Sequence, residues 1–130
     1  MDTATTSPQS DAELIAAYFT CWNTTDRAQR AEAIEAVWAV GARSVDPLTD
    51  VTGHDQLDAM FTGFHELYPG HTFRQVGGAD RHHQLLRWGW ELLAADSSRV
   101  LDGLDIARID DDGRISNLAG FFGRDLPEAP

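Results

Sequence analysis

The hydrophobic positions in the first half of the chain recur at the spacing of an α-helix. Three such segments are present, each bounded by residues that start or stop helices. The first starts at a capping box, Ser10 to Glu13; the second is capped by Asp26 and ends at Gly41; the third runs from Gly53 to Pro69. The predicted buried faces are, in chain order, Leu14, Tyr18, Cys21 and Trp22; Ala31, Ile34, Val37 and Trp38; and Leu57, Met60, Phe61, Phe64 and Tyr68.

After residue 70 the helical spacing gives way to strand-like segments separated by turns. We predict strands over 71–78, 82–94, 99–109 and 114–123, with turns at Gly77-Gly78, 95–98 and 110–113. One earlier strand, 42–46, is stopped by Pro47. The order α-α-β-α-β-β-β-β predicts an α+β fold with helices on one face of a mostly antiparallel sheet. We expect a mobile tail over 1–10, one domain over 11–124 and a C-terminal tail over 125–130.

Composition narrows the possible classes of protein. A net charge of −11 argues against nucleic-acid binding, which needs clustered basic residues. No apolar run approaches the length of a membrane span, and the N-terminal segment has no signal-peptide core. Cys21 is the only cysteine, which precludes an intrachain disulfide and fits a cytoplasmic location. All ten basic residues are arginine, so no lysine is available as a Schiff base or general base.

Three residues carry the candidate chemistry: Tyr18 on the first helix, Asp46 at the end of the first strand and Asp105 in a late strand. A phenol and two carboxyl groups in one apolar cavity can move a proton next to a carbonyl group. Each residue also has a simpler interpretation. Asp46 is compatible with a turn residue before proline, Asp105 with an outward-facing strand position, and Tyr18 with a core tyrosine.

Other titratable residues are weaker candidates. His82 and His83 are adjacent, and neighbouring residues of a strand face opposite sides, so we expect no metal site there. The acidic run 110–112 before Gly113 lacks the alternating ligands of a calcium loop and is predicted to be a solvated hairpin turn. Cys21 is predicted to be a buried helix residue.

The element order and the segments around Tyr18, Asp46 and Asp105 resemble the nuclear transport factor 2-like superfamily over about residues 11–124. Within it, the chain is similar to the branch of SnoaL-like polyketide cyclases and ketosteroid isomerases. The resemblance implies a strongly curved sheet wrapped into a cone, closed at its wide end by helices. It implies that Asp46, in Val45-Asp46-Pro47, is the general base. It also implies that Tyr18 and a protonated Asp105 form the oxyanion hole, and it implies no cofactor.

The resemblance also implies a pocket for a small-molecule ligand, which we expect to be small or flat and mostly apolar. Positions of supporting tyrosines in the isomerase match Trp38 and Phe61 here, and neither side chain can replace a phenol in a hydrogen-bond chain. The predicted pocket residues are Trp22, Trp38, Met60, Phe61, Phe64, Trp88, Trp90, Leu118 and Phe122.

Three functions remain open. The first is an acid–base enzyme, an isomerase or an aldol-type cyclase; the second is a binding protein that uses the same cavity without turnover. The third, an epoxide-hydrolase-like enzyme, needs an arginine beside the acids, for which Arg74 is the candidate. We also expect a homodimer through the outer sheet face, whose apolar residues are mixed with Arg87, Glu91 and Arg108. Those apolar residues are Leu93, Leu104, Ile106, Ala119 and Phe121.

Overall fold

The computed structural model describes residues 10–129. The helices are α1 (Asp11–Asn23), α2 (Arg27–Val37) and α3 (His54–Leu67). The strands are β1 (Trp38–Val45), β2 (Asp50–Thr52), β3 (Thr72–His82), β4 (Leu85–Leu93), β5 (Arg99–Ile109) and β6 (Ile115–Phe122). The predicted α+β class is confirmed. Except for Ser10, the predicted N-terminal tail lies outside the described residues.

The helix starts follow the capping residues of the sequence. The Ser10 hydroxyl accepts from the Glu13 backbone at 3.1 Å, and the Glu13 carboxylate accepts from the Ser10 backbone at 3.0 Å. At the start of α2, the Asp26 side chain accepts from the Gln29 backbone N–H at 2.9 Å. The predicted end of α2 at Gly41 is wrong, because Trp38 adopts extended backbone angles and begins β1. Ala31 and Tyr68, both on predicted buried faces, are exposed.

The six strands form one sheet in the order β2-β1-β6-β5-β4-β3. All neighbours are antiparallel except β1 and β6, which are parallel. The short strand β2 was not predicted. It forms a hairpin with β1, so the chain reverses directly after Asp46 and brings residues 46–49 back over the end of the sheet.

The glycine pair Gly77-Gly78 does not form the predicted turn. Both residues lie inside β3, where the register to β4 shifts between Val76 and Ala79. Gly77 has a φ of 72°, so the pair forms a bulge that bends a long edge strand. The chain turns instead at His83, after the end of β3.

A side chain of helix α1 bonds the free backbone edge of the sheet, where a further strand would otherwise pair. The Asn23 amide donates to the Phe73 carbonyl oxygen and accepts from the Phe73 backbone N–H, both at 2.8 Å. Because β3 is an edge strand, these backbone groups face away from β4 and are free to bond the helix. This contact fixes the C-terminal end of α1 over the sheet.

The core lies between the helices and the inner face of the sheet. Strand alternation places Trp88 and Trp90 of β4 on that face, together with Asp105 and Ala107 of β5, and all four are buried. Tyr18 of α1 packs edge-on against Trp88, with ring centroids 5.0 Å apart. No helix within residues 10–129 is long and apolar enough to cross a membrane.

Candidate active site

A cavity of about 390 Å³ lies between α1, α3 and the inner face of the sheet. Tyr18, Asp46 and Asp105 all line it, so three segments distant in sequence meet in one place. Six of the predicted pocket residues also line it: Trp22, Met60, Phe64, Trp90, Leu118 and Phe122. The remaining lining is mostly apolar.

Three of the predicted pocket residues do not line the cavity. Trp38, Phe61 and Trp88 are at most 1% exposed and belong to the hydrophobic core. Trp38 and Trp88 pack against the ring of Tyr18, and Phe61 packs edge-on against Trp22. They pack behind the residues that face the cavity. Alternation along a helix or strand predicts which residues are buried, but it does not separate core residues from cavity-lining residues.

The sequence predicted only one residue at the mouth of the cavity, Phe122. Four apolar residues both line the cavity and remain exposed: Leu48, Leu67, Tyr68 and Phe122. They come from the turn between β1 and β2, the end of α3 and the end of β6. Leu48 and Thr49 reach the cavity only because β2 folds that turn back, and recognising β2 in the sequence would have located them.

The carboxyl group of Asp105 is held by two hydrogen-bond donors. The Tyr18 hydroxyl donates to Oδ2 at 2.7 Å, and the Trp90 indole N–H donates to Oδ1 at 3.1 Å. All three side chains are buried; Asp105 itself is 4% exposed. The simpler interpretation of Asp105 as an outward-facing residue is therefore wrong, and each of its oxygens has a defined partner.

Burial raises the pKa of Asp105 to about 7, because an ionised carboxylate loses its hydration inside the protein. The hydrogen bonds from Tyr18 and Trp90 oppose this rise, while the negative charge of Asp46 adds to it. Burial, followed by the charge of Asp105, also raises the pKa of Tyr18 well above its usual value. Asp105 can thus exchange a proton near neutral pH, whereas Tyr18 stays protonated and can donate a hydrogen bond.

Asp46 occupies the tight turn that follows β1. Its Oδ1 accepts from the backbone N–H groups of Leu48 and Thr49, both at 2.8 Å. The Asp46 backbone N–H donates to the Thr49 carbonyl oxygen at 2.9 Å. These bonds hold the side chain at the cavity wall, half-buried. Asp46 is therefore both a turn residue and a residue of the cavity wall.

Gly120 allows the two acids to approach each other. A β-carbon at this position would lie 3.0 Å from Oδ1 of Asp105 and 3.3 Å from Cβ of Asp46. Both carboxyl-bearing side chains therefore border the same small space above β6. This proximity explains why the charge of Asp46 affects the protonation of Asp105.

The weaker candidates lie elsewhere. His82 ends β3 and His83 lies in the turn, so the two rings are closer than a strand would allow, with their Nδ1 atoms 3.3 Å apart. Within residues 10–129, no group of three or more His, Cys, Asp or Glu side chains is arranged to hold a metal ion. Cys21 is buried as predicted, and burial raises its pKa to about 12, which disfavours a thiolate.

Arg74 does not approach the acids. Its guanidinium Nε donates to Glu91 Oε1 at 2.6 Å, and these two residues are direct partners across β3 and β4 on the outer side of the sheet. Within residues 10–129, no arginine lines the cavity. The arginine required by the epoxide-hydrolase-like alternative is therefore absent from the cavity wall.

The chain matches one known protein family over most of its length. Residues 15–118 match the model of the SnoaL-like domain, and this span includes Tyr18, Asp46 and Asp105. The chain belongs to the SnoaL-like family. A comparison with curated proteins gives no match.

Several solved structures are similar to this SnoaL-like protein. A protein from Agrobacterium tumefaciens strain C58, described as a proposed isomerase of the SnoaL-like family, superposes with a TM-score of 0.83 at 30% identity, covering 86% of this chain and 96% of that one. A proposed polyketide cyclase from Sinorhizobium meliloti has a TM-score of 0.66 at 14% identity, over 83% and 93%. An NTF2-like protein of unknown function from Exiguobacterium sp. 255-15 has a TM-score of 0.66 at 21% identity, over 86% and 99%. The last two support the fold only.

Proposed function

We propose that this SnoaL-like protein catalyses cofactor-free proton transfer next to a carbonyl group of a small, mostly apolar ligand. The observation that carries the proposal is the buried hydrogen bond between Tyr18 and Asp105, beside Asp46 in one apolar cavity. A phenol that stays protonated and an acid with a pKa of about 7 suit the stabilisation of a developing oxyanion at neutral pH.

Each residue has a role in this scheme. Asp46 removes a proton from the carbon next to the carbonyl group, and the electron pair of the C–H bond moves to the carbonyl oxygen. Tyr18 and protonated Asp105 stabilise that enolate oxygen by hydrogen bonds. In an isomerase, Asp46 returns the proton to another carbon of the same ligand. In an aldol-type cyclase, the enolate carbon attacks a second carbonyl group, and the resulting alkoxide takes up the proton.

The geometry of Asp46 suits a base. Its Oδ1 is occupied by two backbone N–H groups, so the side chain keeps a fixed orientation in its turn. Among the described residues, Oδ2 has no hydrogen-bond partner and remains the oxygen available to a ligand. A base that is already oriented loses little conformational freedom when the ligand binds.

The cavity wall indicates the class of ligand. Among the described residues that line the cavity there is no arginine, lysine or histidine, and there are two acids. A carboxylate or phosphate group would have no cationic partner there and would be repelled. Aromatic rings, including those of Trp22, Phe64 and Trp90, form much of the apolar wall. We therefore favour an uncharged ketone with a flat or apolar body.

The names of two similar proteins agree with this chemistry, since one is a proposed isomerase and the other a proposed polyketide cyclase. Both reactions pass through an enolate, so the same three residues serve either one. Only the isomerase-like protein, at 30% identity, is similar enough to favour an activity.

One observation favours a binding protein without turnover as the second candidate. In this structure Tyr18 donates its hydrogen bond to Asp105, so the two proposed oxyanion groups are partnered with each other. In addition, the buried residues Trp38 and Phe61 supply no hydroxyl group that could support Tyr18. A ligand would have to compete for the Tyr18 hydrogen bond before any reaction.

A proton-exchange measurement tests the proposal. The probe is 2-tetralone, a flat uncharged ketone, incubated with the protein in D₂O while NMR follows loss of the hydrogens next to the carbonyl group. We expect exchange above the buffer rate, reduced about a hundredfold or more in Asp46→Asn and about tenfold or more in Tyr18→Phe. Asp50→Asn is the control, because Asp50 is an exposed acid paired with Arg43.

Two outcomes would contradict the proposal. Exchange equal to the buffer rate, with 2-tetralone nevertheless quenching tryptophan fluorescence, would favour the binding protein. Exchange that survives unchanged in Asp46→Asn would remove Asp46 from the role of base.

A further inference from the structure

The indole of Trp90 is built into the acid site rather than into the general wall of the cavity. Its N–H donates to Asp105 Oδ1 at 3.1 Å, and its ring meets the rings of Phe73 and Phe122 edge-on. Trp90 is 5% exposed, so this hydrogen bond is shielded from water. A buried N–H···O⁻ bond is stronger than the same bond at the surface.

Gly103 makes this position of the indole possible. Gly103 is the direct partner of Trp90 across β4 and β5. A β-carbon on Gly103 would overlap the six-membered ring of the indole as well as the Phe121 carbonyl oxygen. The indole therefore occupies the space that a side chain at position 103 would fill, and it reaches Asp105, which is two residues further along β5.

The indole N–H also decides which carboxyl oxygen is suited to carry a proton. An indole N–H can donate but cannot accept, so it favours an Oδ1 without a hydrogen. The Tyr18 hydroxyl can donate to a carboxylate oxygen or accept from a protonated one, and its distance of 2.7 Å from Oδ2 fits both directions. The two partners of Asp105 are thus not equivalent.

From these contacts we propose that Trp90 is a positioning residue: it holds Oδ1 of Asp105, so that the acid takes up and releases its proton at Oδ2, beside Tyr18. The use of this proton in catalysis rests on the proposed function. The orientation itself does not, since it follows from contacts within the ligand-free protein. When Asp105 is protonated in the ligand-free protein, Oδ2–H donates to the Tyr18 oxygen. A carbonyl oxygen of a bound ligand replaces this partner and accepts hydrogen bonds from both Oδ2–H and the Tyr18 hydroxyl.

The groups that face Asp105 from the surrounding elements are few. They are Tyr18 from α1, Trp90 from β4 and Asp46 from the turn after β1, while β6 contributes the backbone of Gly120. Of these, Asp46 disfavours ionisation of Asp105, whereas Tyr18 and Trp90 favour it. Removal of the Trp90 N–H alone should therefore move the titration of Asp105 upward.

NMR of the ligand-free protein tests the proposal without any turnover. In the ¹⁵N-labelled wild type, we expect the Trp90 indole N–H resonance to shift with pH in parallel with the Asp105 carboxyl resonance. In Asp105→Asn this dependence should disappear. In Trp90→Phe, which keeps an aromatic ring but lacks the donor, the Asp105 midpoint should rise by about one pH unit.

Trp88→Phe is the matched control. Trp88 lies on the same face of β4 and is as deeply buried, but its indole N–H bonds no protein atom in the described part of the chain. We expect this variant to leave the Asp105 midpoint unchanged. A Trp90 indole resonance that ignores the Asp105 titration would overturn the proposal, as would an unchanged midpoint in Trp90→Phe. If Trp90→Phe does not fold, the wild-type and Asp105→Asn spectra decide.

Discussion

The Tyr18 hydroxyl lies 2.7 Å from Oδ2 of Asp105, although the two residues are 87 positions apart in the chain. One belongs to the first helix and the other to the fifth strand. Their contact lies in the cavity wall and places a phenol and an acid side by side there.

The raised pKa of Asp105 predicts a specific dependence of stability on pH. Its pKa is about 7 in the folded protein against an ordinary 3.8. Between these values the folded state holds a proton that the unfolded state has released, so this residue's contribution to the unfolding free energy falls as pH rises through that window. This contribution decreases by up to about 1.4 kcal/mol for each pH unit.

Asp105→Asn should remove this dependence, because an amide does not ionise. Denaturant unfolding at acidic and mildly alkaline pH measures the effect as the difference between variant and wild type. We expect the variant to gain relative stability as pH rises, by up to roughly 4 kcal/mol across the whole window. Parallel pH profiles for the two proteins would show that Asp105 titrates normally.

Gly120→Ala should separate the two acids. The added methyl group would lie 3.0 Å from Asp105 Oδ1 and 3.3 Å from Asp46 Cβ, closer than most real contacts. We expect proton exchange on 2-tetralone to fall roughly tenfold to a hundredfold, with a loss of about 1–3 kcal/mol in unfolding free energy. Gly63→Ala is the control, since it adds the same group to the cavity wall with no atom within 4 Å. Equal effects from the two variants would contradict this explanation.

Asn23→Ala should loosen α1 from the sheet. The variant loses two hydrogen bonds to Phe73, each 2.8 Å long, and leaves the edge of β3 without this partner. We expect a loss of about 1–3 kcal/mol in unfolding free energy and faster amide exchange at Phe73. Thr20→Ala, on the exposed side of α1, should change stability by less than about 0.5 kcal/mol. A normal exchange rate at Phe73 would show that the amide does not hold the edge.

We predict that the protein is a homodimer through the outer face of the sheet. Phe121 is 54% exposed there, next to the half-buried side chains of Leu104, Ile106 and Ala119. Phe121→Arg would place a charge within this apolar surface and should give a monomer in sedimentation, whereas Asp111→Arg in the exposed hairpin turn should not. A wild-type monomer at micromolar concentration would rule out the dimer. An unchanged mass for Phe121→Arg would place the interface elsewhere.

Local patterns in the sequence were sufficient for several features. The capping box at Ser10 and the cap at Asp26 predict where α1 and α2 begin, because these contacts involve residues only three positions apart. The alternation in β4 and β5 predicts that Trp90 and Asp105 face inward. Both kinds of feature depend on short stretches of chain, which a single sequence displays directly.

Tertiary structure decided the features that depend on distant partners. Trp38 continues the apolar stripe of α2, yet it begins β1, because β6 offers it a strand partner at Ile115. The pair Gly77-Gly78 is typical of a turn. Because the residues before and after it both pair with β4, it forms a bulge within β3. The bond from Trp90 to Asp105 depends on the register of β4 against β5 and on the space over Gly103. Helical spacing and strand alternation predicted most of the side chains that face the interior, with Ala31 as an exception. Only the packing of helices and strands determined which of them meet, because hydrogen bonds require specific distances across the fold.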